Sequence, residues 1–390
     1  MLLIRNATVY TMEEDGILEN CDILMADGKI KAVGPNLKAE NAEVIDATGL
    51  VAVPGLIDAH THAGGGFTAT GSDLNEITDP ITPQVEAIHG IDIHEASFKA
   101  LHRAGITAAC FIPGSANVIC GTGFVAKTAG KTSVYDLAIR NPAAMKCAMG
   151  GNPKGYGKRG QAPATRMGIA SLFRQALKKA QDYMVKKEAG GEPPAYDAKC
   201  EGLIPVLRRE IPLKVHCEQF DMLTTIEIAK EFGCDYTIEH GWACDLYADE
   251  LVAGGGSVMF GPIGIPEGVG ELTGGDVGLV GALDARGLNV CLVTDGPICG
   301  ADVLLISAGE AVRYGVAHLR ALAMVTLNAA KGLGVDARIG SIKVGKDADI
   351  VLFDGIPALE TAAKVITTLI DGQVVYSRDE STCALGRNGI

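Results

Sequence analysis

The stretch VAVPGLIDAHTH, residues 51–62, decides the fold that we predict for this chain. The residues before His60 are mainly apolar, as expected for a strand that is buried on both faces in a parallel barrel. His60 and His62 stand two positions apart, so in a strand their imidazoles project from the same face. The glycines at 64–66 let the backbone leave the barrel rim without a clash. The stretch therefore predicts a buried strand that ends in a metal-binding pair of histidines.

Further apolar runs of strand length follow and alternate with amphipathic helical stretches, a pattern typical of successive strand–helix units in a parallel sheet. The predicted strands are residues 51–60, 106–112, 123–128, 143–149, 213–217, 235–240, 256–261 and 289–295. The clearest predicted helices are residues 93–105, 165–189, 221–233 and 282–287. Eight such units over about 290 residues predict an α/β fold with a (β/α)8 TIM-like barrel. Residues 121–131 fit the pattern least well, so the third unit is the least defined.

Both ends of the chain differ from this middle part, because they consist of short β-branched runs separated by Asp-Gly turns. Two or three strands at either end are too few to bury an apolar face alone. We therefore expect residues 1–52 and 338–390 to form one small composite domain, with the barrel at residues 53–337.

Composition excludes several classes of function. Hydrophobic residues make up 47% and charged residues 21% of the 390 residues, which excludes a disordered chain. Subtracting 47 acidic from 34 basic residues gives a net charge of −13, which argues against affinity for nucleic acid or anionic membranes. We expect a small-molecule substrate. The chain shows neither a secretory signal pattern nor a long uncharged apolar run, and its 11 cysteines are scattered, so we expect a cytoplasmic protein with reduced thiols.

Three polar residues close other predicted strands. His216 ends the fifth, His240 ends the sixth and Asp295 ends the eighth. The carboxyl ends of barrel strands meet at one mouth, where the active sites of this fold lie. Four imidazoles and a carboxylate would then converge, and a shared metal explains them better than five unrelated rim groups.

With these motifs the sequence resembles the amidohydrolase superfamily, and within it the imidazolonepropionase-like and related amidohydrolases. The matching segments are GLIDAHTH (55–62), VHCEQ (215–219), IEHGW (238–242), VTDGP (293–297), GSIKVGKDADIVLFDG (340–355) and VITTLIDGQVVY (365–376). The resemblance covers residues 1 to about 376 and implies a TIM-like barrel, a composite β-sandwich and a site for one or two divalent metal ions.

The resemblance also implies residue roles. His60 and His62 would hold the more buried ion, His216 and His240 would hold a second ion or orient substrate, and Asp295 would bind metal and shuttle a proton as the catalytic acid and base. Lys146, in the fourth predicted strand, occupies the position of a metal-bridging carboxylated lysine. Its alternative is a rim lysine whose amine reaches water. Imidazole and carboxylate ligands suit zinc best, although iron, manganese and nickel are compatible with them.

The implied reaction is hydrolysis of a C–N bond. Related deaminases often carry a glutamate three residues after the fifth-strand histidine, where this chain has Gln219, which cannot deliver a proton. We therefore rank amide, cyclic amide or dipeptide-like substrates first. A deaminase of heterocycles and a noncatalytic barrel scaffold are the alternatives. Asn117, Lys154, Glu218 and Trp242 are the predicted substrate contacts, and the oligomeric state, including a homo-oligomer, is left open.

Overall fold

The computed structural model describes residues 1–66, 72–263 and 277–378. Its strands are β1 (Leu2–Tyr10), β2 (Ile17–Ala26), β3 (Lys29–Gly34), β4 (Glu43–Asp46), β5 (Val51–Pro54), β6 (Leu56–Thr61), β7 (Ile106–Phe111), β8 (Ile119–Lys127), β9 (Ala138–Ala148), β10 (Leu213–Glu218), β11 (Tyr236–Trp242), β12 (Ser257–Phe260), β13 (Val290–Leu292), β14 (Ile350–Asp354), β15 (Lys364–Ile370) and β16 (Gln373–Ser377).

The helices are α1 (Ala96–Arg103), α2 (Val134–Leu137), α3 (Arg166–Glu188), α4 (Ala198–Leu207), α5 (Asp221–Phe232), α6 (Ala248–Gly254), α7 (Leu279–Ala285), α8 (Val303–Arg313), α9 (His318–Met324) and α10 (Leu327–Gly332). The longest of them, α3, begins where the side chain of Thr165 accepts a hydrogen bond from the backbone N–H of Gly168. Among the described residues, no helix combines the length and hydropathy that a bilayer span requires.

Strands β6 to β13 lie side by side in chain order and form a nearly closed eight-stranded sheet. Its two edges approach each other at the end of β6, where Thr61 forms a bridge with Gly296 and the backbone N–H of Asp295 donates to the His60 carbonyl over 3.2 Å. The mixed α/β architecture and the barrel-like sheet agree with the prediction. Closure brings residues that are far apart in the chain to the same end of the sheet.

The third strand of this sheet corrects the expectation of eight parallel strands, because β8 runs antiparallel to both β7 and β9. Residues 112–118 join β7 to β8, and residues 128–137, which include only the short α2, join β8 to β9. A parallel pair needs a crossover of about a dozen residues or more, and neither connection is that long. The chain therefore turns back at β8 instead of crossing over.

The predicted first strand, residues 51–60, is divided between two sheets at Gly55. β5 pairs with β1 and β14, whereas β6 pairs with β7 in the barrel. A Cβ atom at Gly55 would lie 2.0 Å from the Thr107 hydroxyl oxygen, so only glycine allows the chain to pass β7 this closely.

The other sheet joins strands from both ends of the chain in the order β16, β15, β14, β5, β1, β2 and β3, with β4 pairing with β1. Its core contains Ile4 and Ile23 from the first half together with Ile350 and Leu352 from the second. The two ends of the chain therefore meet in one sheet. The assignment of this sheet to a separate β-sandwich domain, with the boundaries 1–52, 338–390 and 53–337, stays a prediction.

A buried ion cluster links the barrel to the terminal sheet. The Lys127 ammonium at the end of β8 contacts Asp349, lies 3.1 Å from Asp347 Oδ2 and lies 3.2 Å from Asp371 Oδ1. Burial alone would lower the pKa of Lys127, but these three carboxylates together raise it above its ordinary value. The ammonium therefore stays charged and holds the segment before β14 and the turn between β15 and β16 against the end of β8.

Replacing this ammonium tests the link. We expect Lys127→Met to lower the free energy of unfolding by about 3–5 kcal/mol, because the carboxylate of Asp349 would stay buried without its counter-ion. Urea denaturation measures the change. The control is Lys364→Met, which removes a half-exposed ammonium 3.4 Å from Asp354 and should cost at most about 1 kcal/mol. Equal losses in the two variants would contradict the assigned role of Lys127.

Candidate metal centre

His60 and His62, the pair that ends β6, both point at the carboxylate of Asp295. His60 Nε2 lies 3.3 Å and His62 Nε2 lies 3.1 Å from the same oxygen, Asp295 Oδ1. Both imidazoles are buried. Asp295 follows β13, at the opposite edge of the barrel sheet, so the closure of the sheet brings this acid to the histidine pair.

His240, from β11, belongs to the same cluster. Its ring centroid lies 4.9 Å from that of His60. Ligand atoms of His60, His240 and Asp295 all lie within 4.8 Å of one another, which is close enough for one metal ion to contact all three. Two imidazoles and one carboxylate, from three distant parts of the sequence, therefore lie close together.

His216, which ends the fifth barrel strand, lies on the far side of His240. The two ring centroids are 4.4 Å apart. Within the part of the chain that the structure describes, His216 Nδ1 is buried and has no hydrogen-bond partner. A buried polar atom without a partner is costly, and a metal ion would satisfy it. The Trp242 ring stacks on His240 at a centroid distance of 4.7 Å.

Each of the four imidazoles has one ring nitrogen against an acceptor of the protein. The pairs are His60 Nδ1 with Glu239 Oε2 (2.6 Å), His62 Nδ1 with the Ile112 carbonyl (2.9 Å), His240 Nδ1 with the Gly261 carbonyl (2.8 Å) and His216 Nε2 with Glu218 Oε1 (3.2 Å). A ring nitrogen that donates to such an acceptor carries the proton, so the opposite nitrogen keeps its lone pair. Three rings therefore present Nε2 as a ligand atom, and His216 presents Nδ1.

The backbone turns sharply at several of these strand ends. Gln219, His240 and Asp295 have φ angles of 51°, 70° and 54°, in the left-handed region that residues other than glycine seldom adopt. Regular alternation would place Glu239 and His240 on opposite faces of β11. The left-handed turn breaks that alternation, so both side chains contact or approach His60.

Burial and neighbouring charges fix the protonation states of the cluster. Burial lowers the pKa of His60 to about 4 and that of His240 well below its ordinary value. Asp295 Oδ1 faces the Nε2 atoms of His60 and His62, which carry lone pairs rather than protons in the tautomers described above. Two lone-pair nitrogens and a carboxylate oxygen that face one another form a donor set that suits a divalent transition metal.

Two buried lysines lie on neighbouring strands of the same barrel interior. Lys146 on β9 is the register partner of Lys214 on β10. Lys146 Nζ lies 3.3 Å from His60 Nε2, whereas Lys214 Nζ lies 2.9 Å from Glu239 Oε2. The sequence analysis missed Lys214 and Glu239. Lys214 could have been found, because it stands two residues before His216 and therefore shares its face of the strand.

The predicted substrate contacts occupy different environments. Asn117 is buried, donates to the Glu76 carbonyl and to the Thr82 hydroxyl over 2.8 Å, and accepts the Tyr156 hydroxyl over 2.7 Å. Its amide therefore holds protein segments together. Lys154 is partly buried on the 3-10 helix Asn152–Arg159. For these residues, as for Glu218 and Trp242 beside the histidines, a substrate contact stays a prediction.

The Glu218 carboxylate is held from several sides. Besides His216, its Oε2 accepts the backbone N–H of Gly151 over 3.1 Å and lies 3.8 Å from an Arg166 guanidinium nitrogen. Burial alone would raise the pKa of Glu218, but these contacts lower it below its ordinary value. The same guanidinium binds both oxygens of Asp221, over 2.9 and 3.2 Å. The sequence analysis did not identify Arg166 or Asp221, since neither lies in a recognisable motif.

Comparison with known proteins adds independent information. Residues 51–375 match the profile described as "Amidohydrolase family". The crystal structure of an amidohydrolase from Thermotoga maritima MSB8 superposes with a TM-score of 0.90 at 36% identity, covering 97% of this chain and 100% of that one.

Two curated relatives are more distant in sequence. Amidohydrolase tasK of Hapsidospora irregularis is 29% identical, and the match covers 91% of this chain and 40% of that protein. This chain therefore spans less than half the length of that relative. A 5-methylthioadenosine/S-adenosylhomocysteine deaminase of Thermoanaerobacter pseudethanolicus is 24% identical, over 97% of this chain and 94% of that protein.

The lowered histidine pKa values predict acid sensitivity of the metal-free protein. In the unfolded chain, the imidazoles of His60 and His240 take up a proton near pH 6.5. In the folded protein their pKa values are lower, and that of His60 is about 4. The free energy of unfolding should therefore be highest above pH 6.5 and should fall below it, by up to about 1.4 kcal/mol per pH unit for each histidine. Urea denaturation at a series of pH values measures this slope.

His240→Asn is the matched variant for this measurement. Asparagine tolerates the left-handed φ and can still donate to the Gly261 carbonyl, but it does not titrate. We expect the free energy of unfolding of this variant to depend less steeply on pH, by the contribution of one titrating group. A slope identical to that of the parent protein would contradict the neutral, buried state assigned to His240.

Proposed function

The chain belongs to the amidohydrolase family, and from this premise we propose that it is a metal-dependent hydrolase that cleaves an amide C–N bond. Family membership supports hydrolysis of a C–N bond. The substrates that we propose are cyclic amides, N-acyl compounds or dipeptide-like molecules. The observation that carries the proposal is the approach of His60 and His62 to one oxygen of Asp295, with His240 beside them. These groups occupy the mouth of the barrel, where this fold carries out chemistry.

The donor set fits one or two divalent ions, for which zinc is our choice. His60, His62 and Asp295 would hold the more buried ion. His240 would hold a second ion or orient the substrate together with His216, whose buried Nδ1 has no hydrogen-bond partner among the described residues. When bound, such an ion lowers the pKa of water to about 7 and polarises the carbonyl group under attack.

Asp295 has the properties of the general base and acid. An aspartate ordinarily ionises at about pH 3.9, and a cation held by His60 and His62 would keep Asp295 ionised, so its carboxylate can accept the proton that the attacking water loses. Its side chain is 14% exposed, so the carboxylate is accessible from the mouth, unlike the fully buried imidazole of His60. The same carboxylate can then deliver that proton to the leaving nitrogen. This cycle is the proton transfer that amide hydrolysis requires.

The state of Glu218 favours an amide over a heterocyclic amine. A deaminase would need a group that protonates the ring nitrogen, and Glu218 is the carboxylic acid nearest to His216. His216, Gly151 and Arg166 hold it as a carboxylate that accepts hydrogen bonds. Gln219 has no proton to give. Deamination stays the second candidate because the similar protein from Thermoanaerobacter pseudethanolicus, which matches over nearly its whole length, is a deaminase.

Product analysis tests the proposed reaction. With dipeptides, N-acyl amino acids and cyclic amides, we expect release of an amine or a ring-opened acid, measured by mass spectrometry. With purine nucleosides, we expect no ammonia in a coupled assay. Ammonia release from nucleosides without amide cleavage would instead support the deaminase.

The double variant His60→Ala/His62→Ala provides the control. The parent protein should contain one or two equivalents of transition metal, measured by elemental analysis. The variant should lose both metal and hydrolysis and still unfold in a cooperative transition. A metal-free parent protein with no hydrolytic activity would favour the noncatalytic scaffold.

We further propose that Lys146 is carboxylated and bridges two ions. Of the two buried lysines, Lys214 has Glu239 as its counter-ion, whereas no ion pair of Lys146 is found in the described ranges. Burial lowers the pKa of Lys146, which favours the neutral amine. That amine can form an N–C bond with carbon dioxide and release one proton, which converts an uncompensated buried amine into an anionic ligand.

Lys146→Ala tests this modification. We expect the metal content to fall from two equivalents to one or less and activity to drop by at least about tenfold, since a bridging ligand is lost. Acetate or propionate should restore part of the activity by supplying a carboxylate to the space left by the lysine. An active Lys146→Ala protein with unchanged metal content, together with indifference to bicarbonate, would remove Lys146 from the site.

A further inference from the structure

The hydrogen-bond acceptors of three of the four imidazoles differ in charge. His62 and His240 donate to neutral backbone carbonyls. His60 donates to the carboxylate of Glu239, which is completely buried, over 2.6 Å. Hydrogen bonds to a charged acceptor are about twice as strong as neutral ones, and they are stronger still away from water. His60 is therefore the most tightly held of these three rings.

Glu239 is itself fixed by two groups. Its Oε2 lies 2.9 Å from Lys214 Nζ, and its Oε1 accepts the hydroxyl of Thr237 over 2.5 Å. All of these groups are buried, so water cannot replace either contact. The carboxylate consequently has one orientation, in which Oε2 serves the ammonium and the imidazole together.

We propose that Glu239, anchored by Lys214, is a positioning residue that keeps the proton of His60 on Nδ1 and so reserves Nε2 as the metal-binding atom. The inference rests on the proposed function, because it assigns His60 as a metal ligand. In the opposite tautomer, Nε2 would carry a proton and point an N–H at the place where Asp295 Oδ1 and Lys146 Nζ now lie, each 3.3 Å away. That ring could not bind a cation.

A purely structural ion pair makes a different prediction. If Lys214 and Glu239 only stabilised the barrel interior, replacing both by uncharged residues of similar size would leave the site unaffected, since buried pairs are often exchanged in this way at little cost. The positioning role predicts instead that the barrel tolerates the double replacement while metal binding suffers.

The experiment measures zinc affinity by competition with a chromophoric chelator and the visible spectrum of the cobalt-substituted protein. The variants are Glu239→Met and the double variant Lys214→Met/Glu239→Met, which leave the His60 Nδ1 proton without an acceptor at position 239. In both we expect zinc to bind about 10–100-fold more weakly and the cobalt bands to shift, because the ligand loses its carboxylate partner. The double variant removes both charges of the pair, so it carries the test if Glu239→Met does not fold.

Asp58→Asn is the matched control. Asp58 is a buried carboxylate on the same strand as His60, but it accepts hydrogen bonds from the His60 backbone N–H and from the Thr294 backbone N–H and hydroxyl, rather than from an imidazole. Its replacement should leave zinc affinity within about twofold of the parent. Equal weakening in Asp58→Asn, or parental affinity and an unshifted cobalt spectrum in both Glu239 variants, would overturn the proposal.

These outcomes separate the inference from the proposed function. A parent protein that binds zinc, with Glu239 variants that bind it equally well, overturns the positioning role alone. A parent protein that binds no metal overturns both. A selective loss of affinity in the Glu239 variants supports both.

Discussion

A nearly closed barrel sheet imposes one demand on everything inside it, namely that each charge be neutralised by another side chain. Water that would solvate an isolated ion is excluded, and an uncompensated charge there costs several kcal/mol or more. The interior of this barrel nevertheless contains Lys146, Lys214, several acidic side chains and several imidazoles. Lys214 meets this demand through Glu239, whereas Asp295 faces lone-pair nitrogens of His60 and His62, which do not neutralise its charge. The candidate site is the point where such compensation by the protein is incomplete.

The sequence predicted the convergence of these side chains better than it predicted the path of the chain. His60, His62, His240 and Asp295 converge because carboxyl ends of neighbouring parallel strands must share an edge, a rule that needs only strand assignments. The predicted direction of β8 was wrong, because parallel and antiparallel strands inside a barrel have the same hydrophobic pattern and the same burial. Only the lengths of the two flanking connections distinguish them.

Glu239 shows where pattern-based reasoning fails for a physical reason. Alternation along a strand assigns adjacent residues to opposite faces, so choosing His240 as a ligand directs attention away from the residue before it. The φ of 70° at His240 breaks that alternation locally, and a histidine is not a residue type that predicts such a turn. Lys214 was missed for a simpler reason, since a lysine in an apolar run suggests a rim position until its buried partner is known.

The chain passes from the terminal sheet to the barrel sheet at Gly55, and this junction limits how the two sheets can change independently. Val51–Pro54 belongs to the terminal sheet, and His60 follows only five residues after Gly55 on a strand of the barrel. An insertion or deletion of one residue in this stretch would rotate the ligand pair to the outside of the sheet. Recombination that grafts a foreign terminal sheet onto this barrel must therefore keep the spacing across the junction, so we expect the two sheets to be inherited as a single unit.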